Sequence, residues 1–196
     1  CNLACHMCDL FGRANEIESI RSRREAPGEW FSLHLIEKIC ASFNTLKPVL
    51  SFGGGEPLMH PQIAELVAHA KRRGFVCTLT TNGTLLERHA AALVDAGLDN
   101  LVISIDGPEE IHDVTRGVKG AFMRARAGAR EIAECMRKKG SSTPRLRINC
   151  TINSHNFSAL SALVGIAEDF GAESLLFSHL WFWDGRAAEA HNRSRT

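Results

Sequence analysis

The sequence predicts an α/β fold, a partial (β/α)6 TIM-like barrel of parallel strands with its first strand cut away. Two periodicities alternate along the chain, glycines fall where helices should stop, and polar residues collect just past the strand ends. Short apolar runs alternating with stretches of helical period, at this spacing, mean parallel strands joined by right-handed crossovers.

Apolar runs of strand length lie at Pro48–Phe52, Phe75–Thr80, Leu101–Ile105, Leu146–Ile152 and Ser174–Phe177. Between them, Ile63, Leu66, Val67 and Ala70 recur at the i, i+3, i+4, i+7 spacing of one helix face, as do Leu160, Leu163, Val164 and Ala167. Ala125, Ala129, Ile132 and Met136 form a third stripe. Gly74, Gly97 and Gly171 each close a helical stretch just before the next strand, where a left-handed residue is wanted. Asn156 and Ser158 are candidate caps for the last helix.

Five strands are visible, and a sixth is expected ahead of Cys1. That expectation favours a barrel-like sheet over an open doubly wound one, although the pattern alone fits both. In either fold, ligands sit at the carboxyl ends of the strands. The residues there are Gly53 to Glu56, Thr81-Asn82-Gly83, Ser104 to Gly107, Asn153 and His179, so one rim of the sheet is lined with hydrogen-bonding groups.

With 196 residues the chain suits one domain able to bury a sizeable core. The expected division is a core over 1–180, followed over 181–196 by the start of another segment or a truncated tail. Both ends read as cut, and the chain as a piece of a longer protein. Net charge is +1, from 23 Lys and Arg against 22 Asp and Glu, which makes nucleic acid a poor default partner. The short cluster Arg21-Ser22-Arg23-Arg24 reads as solvated loop. No apolar run has the length of a membrane span. Seven cysteines, an odd number at low density, argue for a reducing, cytoplasmic compartment. Cys40, Cys77, Cys135 and Cys150 stand alone in apolar stretches and read as small core residues.

The strongest chemical signal is Cys1-x-x-x-Cys5-x-x-Cys8. Three thiolates this close can hold three corners of an iron–sulfur cube and leave the fourth iron without a protein ligand. A zinc site completed by His6 or His34 is the competing reading, although zinc modules usually show a second close ligand pair and none follows. Downstream, Gly53-Gly54-Gly55-Glu56-Pro57 offers bare backbone and a carboxylate, which suit an ammonium group. A plain glycine turn punctuated by Pro57 is the alternative.

Taken together, these motifs resemble the core of the radical S-adenosylmethionine superfamily, in particular the branch with the molybdenum-cofactor cyclase and the SPASM peptide-modifying proteins. The resemblance runs from Cys1 to about Leu180. It implies a 4Fe–4S cluster on Cys1, Cys5 and Cys8, with S-adenosyl-L-methionine on its open iron. It places Gly54, Gly55 and Glu56 at the methionine ammonium and Ser104 and Asp106 near the ribose and methionine. Asn82 would line the same pocket, and Arg116 would hold the cofactor's carboxylate. Met7 stands where the family most often has an aromatic over the adenine. A surface ion pair with Glu109 or Asp113 is the alternative for Arg116, and His112 and Asp113 read as loop-ordering residues.

The implied activity is reductive cleavage of S-adenosylmethionine to a 5′-deoxyadenosyl radical, which takes hydrogen from a peptide or small-molecule substrate. An electron donor such as flavodoxin or ferredoxin is implied too. A non-catalytic iron–sulfur or zinc-binding barrel, acting as scaffold or sensor, is the rival reading. The run Trp181-Phe182-Trp183-Asp184-Gly185 fits substrate packing, a domain seam or a core cap equally well.

Overall fold

The computed structural model describes residues 1–8, 30–43, 45–179 and 189. Both Arg21–Arg24 and Trp181–Gly185 lie outside them. The elements are α1 (Leu33–Ser42), β1 (Val49–Phe52), α2 (Ile63–Arg72), β2 (Val76–Thr81), α3 (Leu86–Asp95), β3 (Asn100–Ser104), α4 (Glu109–Arg116), α5 (Ala121–Lys139), β4 (Arg145–Ile152), α6 (Ala162–Asp169) and β5 (Ser174–His179). Single 3-10 turns at Pro57–Met59 and Phe157–Ala159 precede α2 and α6.

The five strands among the described residues are all parallel, and their spatial order is the chain order, β1-β2-β3-β4-β5. A doubly wound sheet reverses its order at a switch point, whereas this sheet never reverses. It winds in one direction, as a barrel does.

Right-handed crossovers all running one way place every helix on the same face of the sheet. The burial pattern agrees. Cys77, Leu79, Leu101, Ile103, Ile148 and Cys150 are buried against helix residues such as Leu66, Val67, Leu93, Ala125, Ala129 and Ile132. Their alternates on the opposite face, Thr78, Thr80, Val102, Ser104, Asn149 and Thr151, are half-buried. That second face is polar, and it leads up to the rim.

Glycines 74, 97 and 171 have φ of +81°, +76° and +68°, as the helix-stop reading requires. The cap reading for Asn156 and Ser158 needs correction. Helix α6 starts later, at Ala162, behind Ser161, and Asn156 is buried. Its side chain accepts from the Asn153 amide at 2.8 Å and donates to the Thr151 carbonyl at 2.9 Å. It ties the β4 rim instead of the helix. The run ahead of Gly53 is less buried than its composition suggests. Val49 is 59% exposed, because β1 is an edge strand among the described residues.

Helices α3 and α5 pack against each other at Gly128. A Cβ there would lie 2.6 Å from Leu86 Cβ and 3.1 Å from the Glu87 amide nitrogen, so only glycine lets the helices approach. Gly128→Ala should destabilise the fold by about 1–3 kcal/mol through overpacking, read as a lowered melting temperature. An unchanged melting temperature would show that the helices can part without cost.

Candidate functional site

The cysteine loop has little core of its own. Leu3 and Cys5 are buried, Cys8 is half-buried and Cys1 is exposed. Neighbours hold it in place. The amides of Ala4 and His6 donate to the carbonyls of Arg116 (3.3 Å) and Thr115 (3.0 Å), at the carboxyl end of α4. These carbonyls belong to the last turn of a helix, which lacks internal donors. Gly117, in the left-handed conformation with φ +69°, closes that helix. A Cβ on Gly117 would lie 2.5 Å from the Ala4 carbonyl oxygen.

A second anchor reaches the β2 rim. Asn2 Oδ1 accepts from Asn82 Nδ2 at 2.8 Å, and Asn2 Nδ2 donates to Thr84 Oγ1 at 2.9 Å. Asn82 Oδ1 in turn accepts from the Thr84 amide and hydroxyl. Neighbouring Glu56 is 5% exposed. Its Oε1 accepts from the Leu58 amide at 3.0 Å and Thr81 Oγ1 at 2.7 Å, and its Oε2 accepts from the Asn82 amide at 2.8 Å. Burial raises the Glu56 carboxyl above its usual range, and these donors pull against that rise. Glu56 therefore fastens the β1 loop to the end of β2. Two oxygens offer about four acceptor sites, so capacity for a further donor remains. Gly53, Gly54 and Gly55 are exposed beside it, and a Cβ on Gly53 or Gly54 would meet nothing within 4 Å.

A third anchor is buried. Arg116 Nε donates to Asp106 Oδ2 at 2.6 Å, with Asp106 fully enclosed and the arginine side chain 11% exposed. This replaces the surface pairing with Glu109 or Asp113. Asp113 instead accepts from the Gly120 and Phe122 amides, at the start of α5. Arg116 Nη1 lies 4.0 Å from Cys5 Sγ. Burial lifts the Cys5 thiol, and the Arg116 cation opposes that.

His112 is enclosed in the same region, and its Nδ1 accepts from the Asp106 amide at 3.2 Å. Burial, then the Arg116 cation, hold its pKa well below the usual value. The 3.9 Å approach of Nδ1 to Asp106 Oδ2 is therefore no ion pair. The imidazole is neutral, with its proton on Nε2.

The structure thus joins Glu56 with Asn82, and Asp106 with Arg116 and Cys5. Ser104 ends β3 half-buried. The strand stops there, and Asp106 is buried against Arg116. Met7 is half-buried. A cavity of about 920 Å³ runs from Cys1, Gly53, Gly55 and Glu56 to Ile36, Leu50 and Phe52 along the edge of β1. Ser104, Asp106 and Arg116 do not line it. Sequence reasoning missed Asn2 and Thr115, while Thr81 was read only as one of the polar rim residues. Asn2 carried a signal, as a polar residue inside the cysteine motif.

Among the described residues no three His, Cys, Asp or Glu side chains converge into a metal-ligating group. Even so, the donor set suits an iron–sulfur cluster. Cys8 lies near enough to Cys5 to act on its thiol electrostatically, and no disulfide ties up any of the three sulfurs. The Thr115 hydroxyl and His112 Nε2 are buried without a partner among the described residues. The former belongs to the residue whose carbonyl holds the loop, and sulfide-rich surroundings would offer it an acceptor.

A one-way α/β half-barrel with a three-cysteine loop on its carboxyl rim defines a class of cluster-bearing enzymes. The family model described as the radical SAM superfamily matches residues 1–145, and the chain belongs to that superfamily. It is 34% identical over 193 residues to an Fe-coproporphyrin III synthase of Methanosarcina barkeri, covering 98% of this chain and 44% of the relative. It is 32% identical over 174 residues to an AdoMet-dependent heme synthase of Oleidesulfovibrio alaskensis, covering 88% and 41%. A PqqA peptide cyclase of Ruegeria pomeroyi is 30% identical over 206 residues, covering 100% of the chain and 50% of the relative. The chain thus spans about half or less of the length of these relatives.

Among solved structures, Streptococcus suis SuiB bound to precursor peptide SuiA superposes with a TM-score of 0.68 at 20% identity, covering 92% of this chain and 37% of that one. His6-tagged anSMEcpe with bound AdoMet gives 0.66 at 21%, covering 92% and 47%. These likenesses show the fold, a partial barrel. The superfamily uses a 4Fe–4S cluster and S-adenosylmethionine.

Two outcomes test the anchors. Gly117→Ala should push the Ala4 carbonyl away and lower iron per chain after anaerobic reconstitution, with the far-ultraviolet circular dichroism kept. Wild-type iron would show that the docking is dispensable. Unfolded histidine takes up a proton near pH ~6.5, whereas folded His112 does so only at much lower pH. Its contribution is present above that value and is lost as pH falls through the window below it. In urea unfolding, wild type should lose more stability between pH 7.5 and pH 5 than His112→Gln; equal losses would contradict a neutral buried imidazole.

Proposed function

We propose that this chain is the catalytic core of a radical S-adenosylmethionine enzyme, with Cys1, Cys5 and Cys8 as the cluster ligands. The observation that carries this reading is the triple anchoring of the cysteine loop to α4, to the β2 rim and to Arg116. A loop whose cysteines served only packing would not need its backbone held at Ala4 and His6 and its Asn2 side chain held as well. Cys1, Cys5 and Cys8 would hold the cluster, which would supply the one-electron reduction that cleaves S-adenosylmethionine and starts radical chemistry on a substrate C–H bond.

The protein's own groups bind and orient. Exposed Gly54 and Gly55 let the methionine ammonium approach backbone carbonyls, and Glu56 keeps an acceptor site for it. Asn82 sets the adjoining wall. Ser104 offers a hydroxyl to the ribose. Met7 covers the adenine with a polarizable thioether. Asp106 and Arg116 keep this corner charged but neutral overall. Residues 1–180 form one core in this reading.

For substrate, the names of the relatives favour a haem-type tetrapyrrole, because the chain is 34% and 32% identical to synthases of that class. The polar inner face supports it. Thr78, Thr80, Ser104, Asn149, Thr151 and Arg147 alternate onto one side of the sheet, and such groups suit a carboxylate-bearing ring. A peptide is the second reading, favoured by the 30% identity to a peptide cyclase. A flavodoxin or ferredoxin would deliver the electron. No disulfide joins any of the seven cysteines, which supports the cytoplasm, and no helix among the described residues is long and apolar enough to cross a membrane.

The test is anaerobic reconstitution of the full-length protein, dithionite reduction and assay of 5′-deoxyadenosine. Wild type should form it, more so with an iron-coproporphyrin than with unrelated peptides. Cys5→Ala should fall to the protein-free background while staying folded. A Cys5→Ala protein that still cleaves the cofactor, or a wild type that binds a cluster and never cleaves it, would move the assignment to the scaffold reading.

A further inference from the structure

Arg116 occupies an unusual position for a cofactor-binding side chain. One nitrogen of its guanidinium is committed at 2.6 Å to a carboxylate with no solvent contact, and another lies 4.0 Å from the sulfur of Cys5. Its own carbonyl receives the Ala4 amide, one residue before Cys5. Main chain and side chain of one residue therefore grip the cysteine loop from the same side.

Asp106 is held just as firmly. Its Oδ1 accepts from the Thr151 amide at 3.4 Å, and its own amide donates to His112 Nδ1. Among the described residues no other cation pairs with them, and neutral His112 adds no charge. The Arg116 charge is thus shared between one carboxylate and one sulfur.

We propose that Arg116, oriented by Asp106, is a positioning residue for the cluster ligand Cys5, donating an N–H to its sulfur when the cluster is bound. A donor on a ligating sulfur withdraws electron density from the cluster and stabilises its reduced form, which raises the reduction potential. A guanidinium suits the task because its fork can serve carboxylate and sulfur together, and a lysine ammonium lacks that fixed geometry. Cofactor-carboxylate binding makes a different demand on Arg116. It predicts changed affinity for S-adenosylmethionine and no change in the cluster without it.

The inference rests on the cluster assignment above, and the experiment separates the two. The full-length protein, Arg116→Lys and the double variant Asp106→Asn/Arg116→Gln are reconstituted without S-adenosylmethionine. Midpoint potential, electron paramagnetic resonance spectrum and iron content are then measured. The lysine variant keeps a cation beside Asp106, and the double variant leaves no lone buried charge, so one is read should the other fail to fold. The expected result is a more negative midpoint potential with altered g values, or iron loss from a folded variant. Wild-type potential, spectrum and iron in a folded variant would overturn the role of Arg116. A wild type that takes up no cluster would instead overturn the assignment on which it rests.

Discussion

Everything functional in this chain depends on how an irregular loop is tied to regular structure. Eight residues with two buried side chains cannot hold a shape by their own packing. The loop is placed instead by hydrogen bonds to the last carbonyls of α4 and to side chains on the β2 rim. Helix ends carry carbonyls that need donors, so the docking satisfies both partners. Gly117 permits the closeness, since a side chain there would strike the Ala4 carbonyl. Geometry at the cysteines is thereby inherited from the barrel.

The second constraint is charge. Asp106, Arg116 and Glu56 all lie below a tenth exposed, in a region where unpaired ions are costly. Each is compensated locally: the first two by each other, Glu56 by two amides and a hydroxyl. The same groups connect α4, β1, β2 and the loop, so electrostatic compensation and site assembly are one arrangement. Neutral His112 completes it by accepting from the Asp106 amide without adding charge.

Much of this was legible in the amino-acid order. Strands and helices announced themselves because the periods of two and 3.6 are local properties, and positive-φ glycines ended helices where expected. The stripe at Ile63, Leu66, Val67 and Ala70 is buried throughout. The direction of winding was less visible, because doubly wound and barrel sheets share the same local units and differ only in which strands become neighbours. Among site residues, the cysteines stood out by their spacing, and Glu56 was singled out by the family resemblance and not by spacing alone. The Asp106–Arg116 pairing was not legible, since residues ten apart across a loop and a helix give no periodic signal. Asn156 reads as a cap by type, yet its side chain satisfies the β4 rim, a choice made by tertiary packing.

The central claim is that three cysteines hold a cluster with one iron left for a small ligand. The most direct measurement is electron paramagnetic resonance of the reduced full-length protein before and after S-adenosylmethionine is added. A 4Fe–4S signal whose g values shift on addition is the expected result, because only an open iron can take the cofactor's chelating groups. A signal unmoved by saturating cofactor, or a chain that takes up zinc and no iron, would contradict the account.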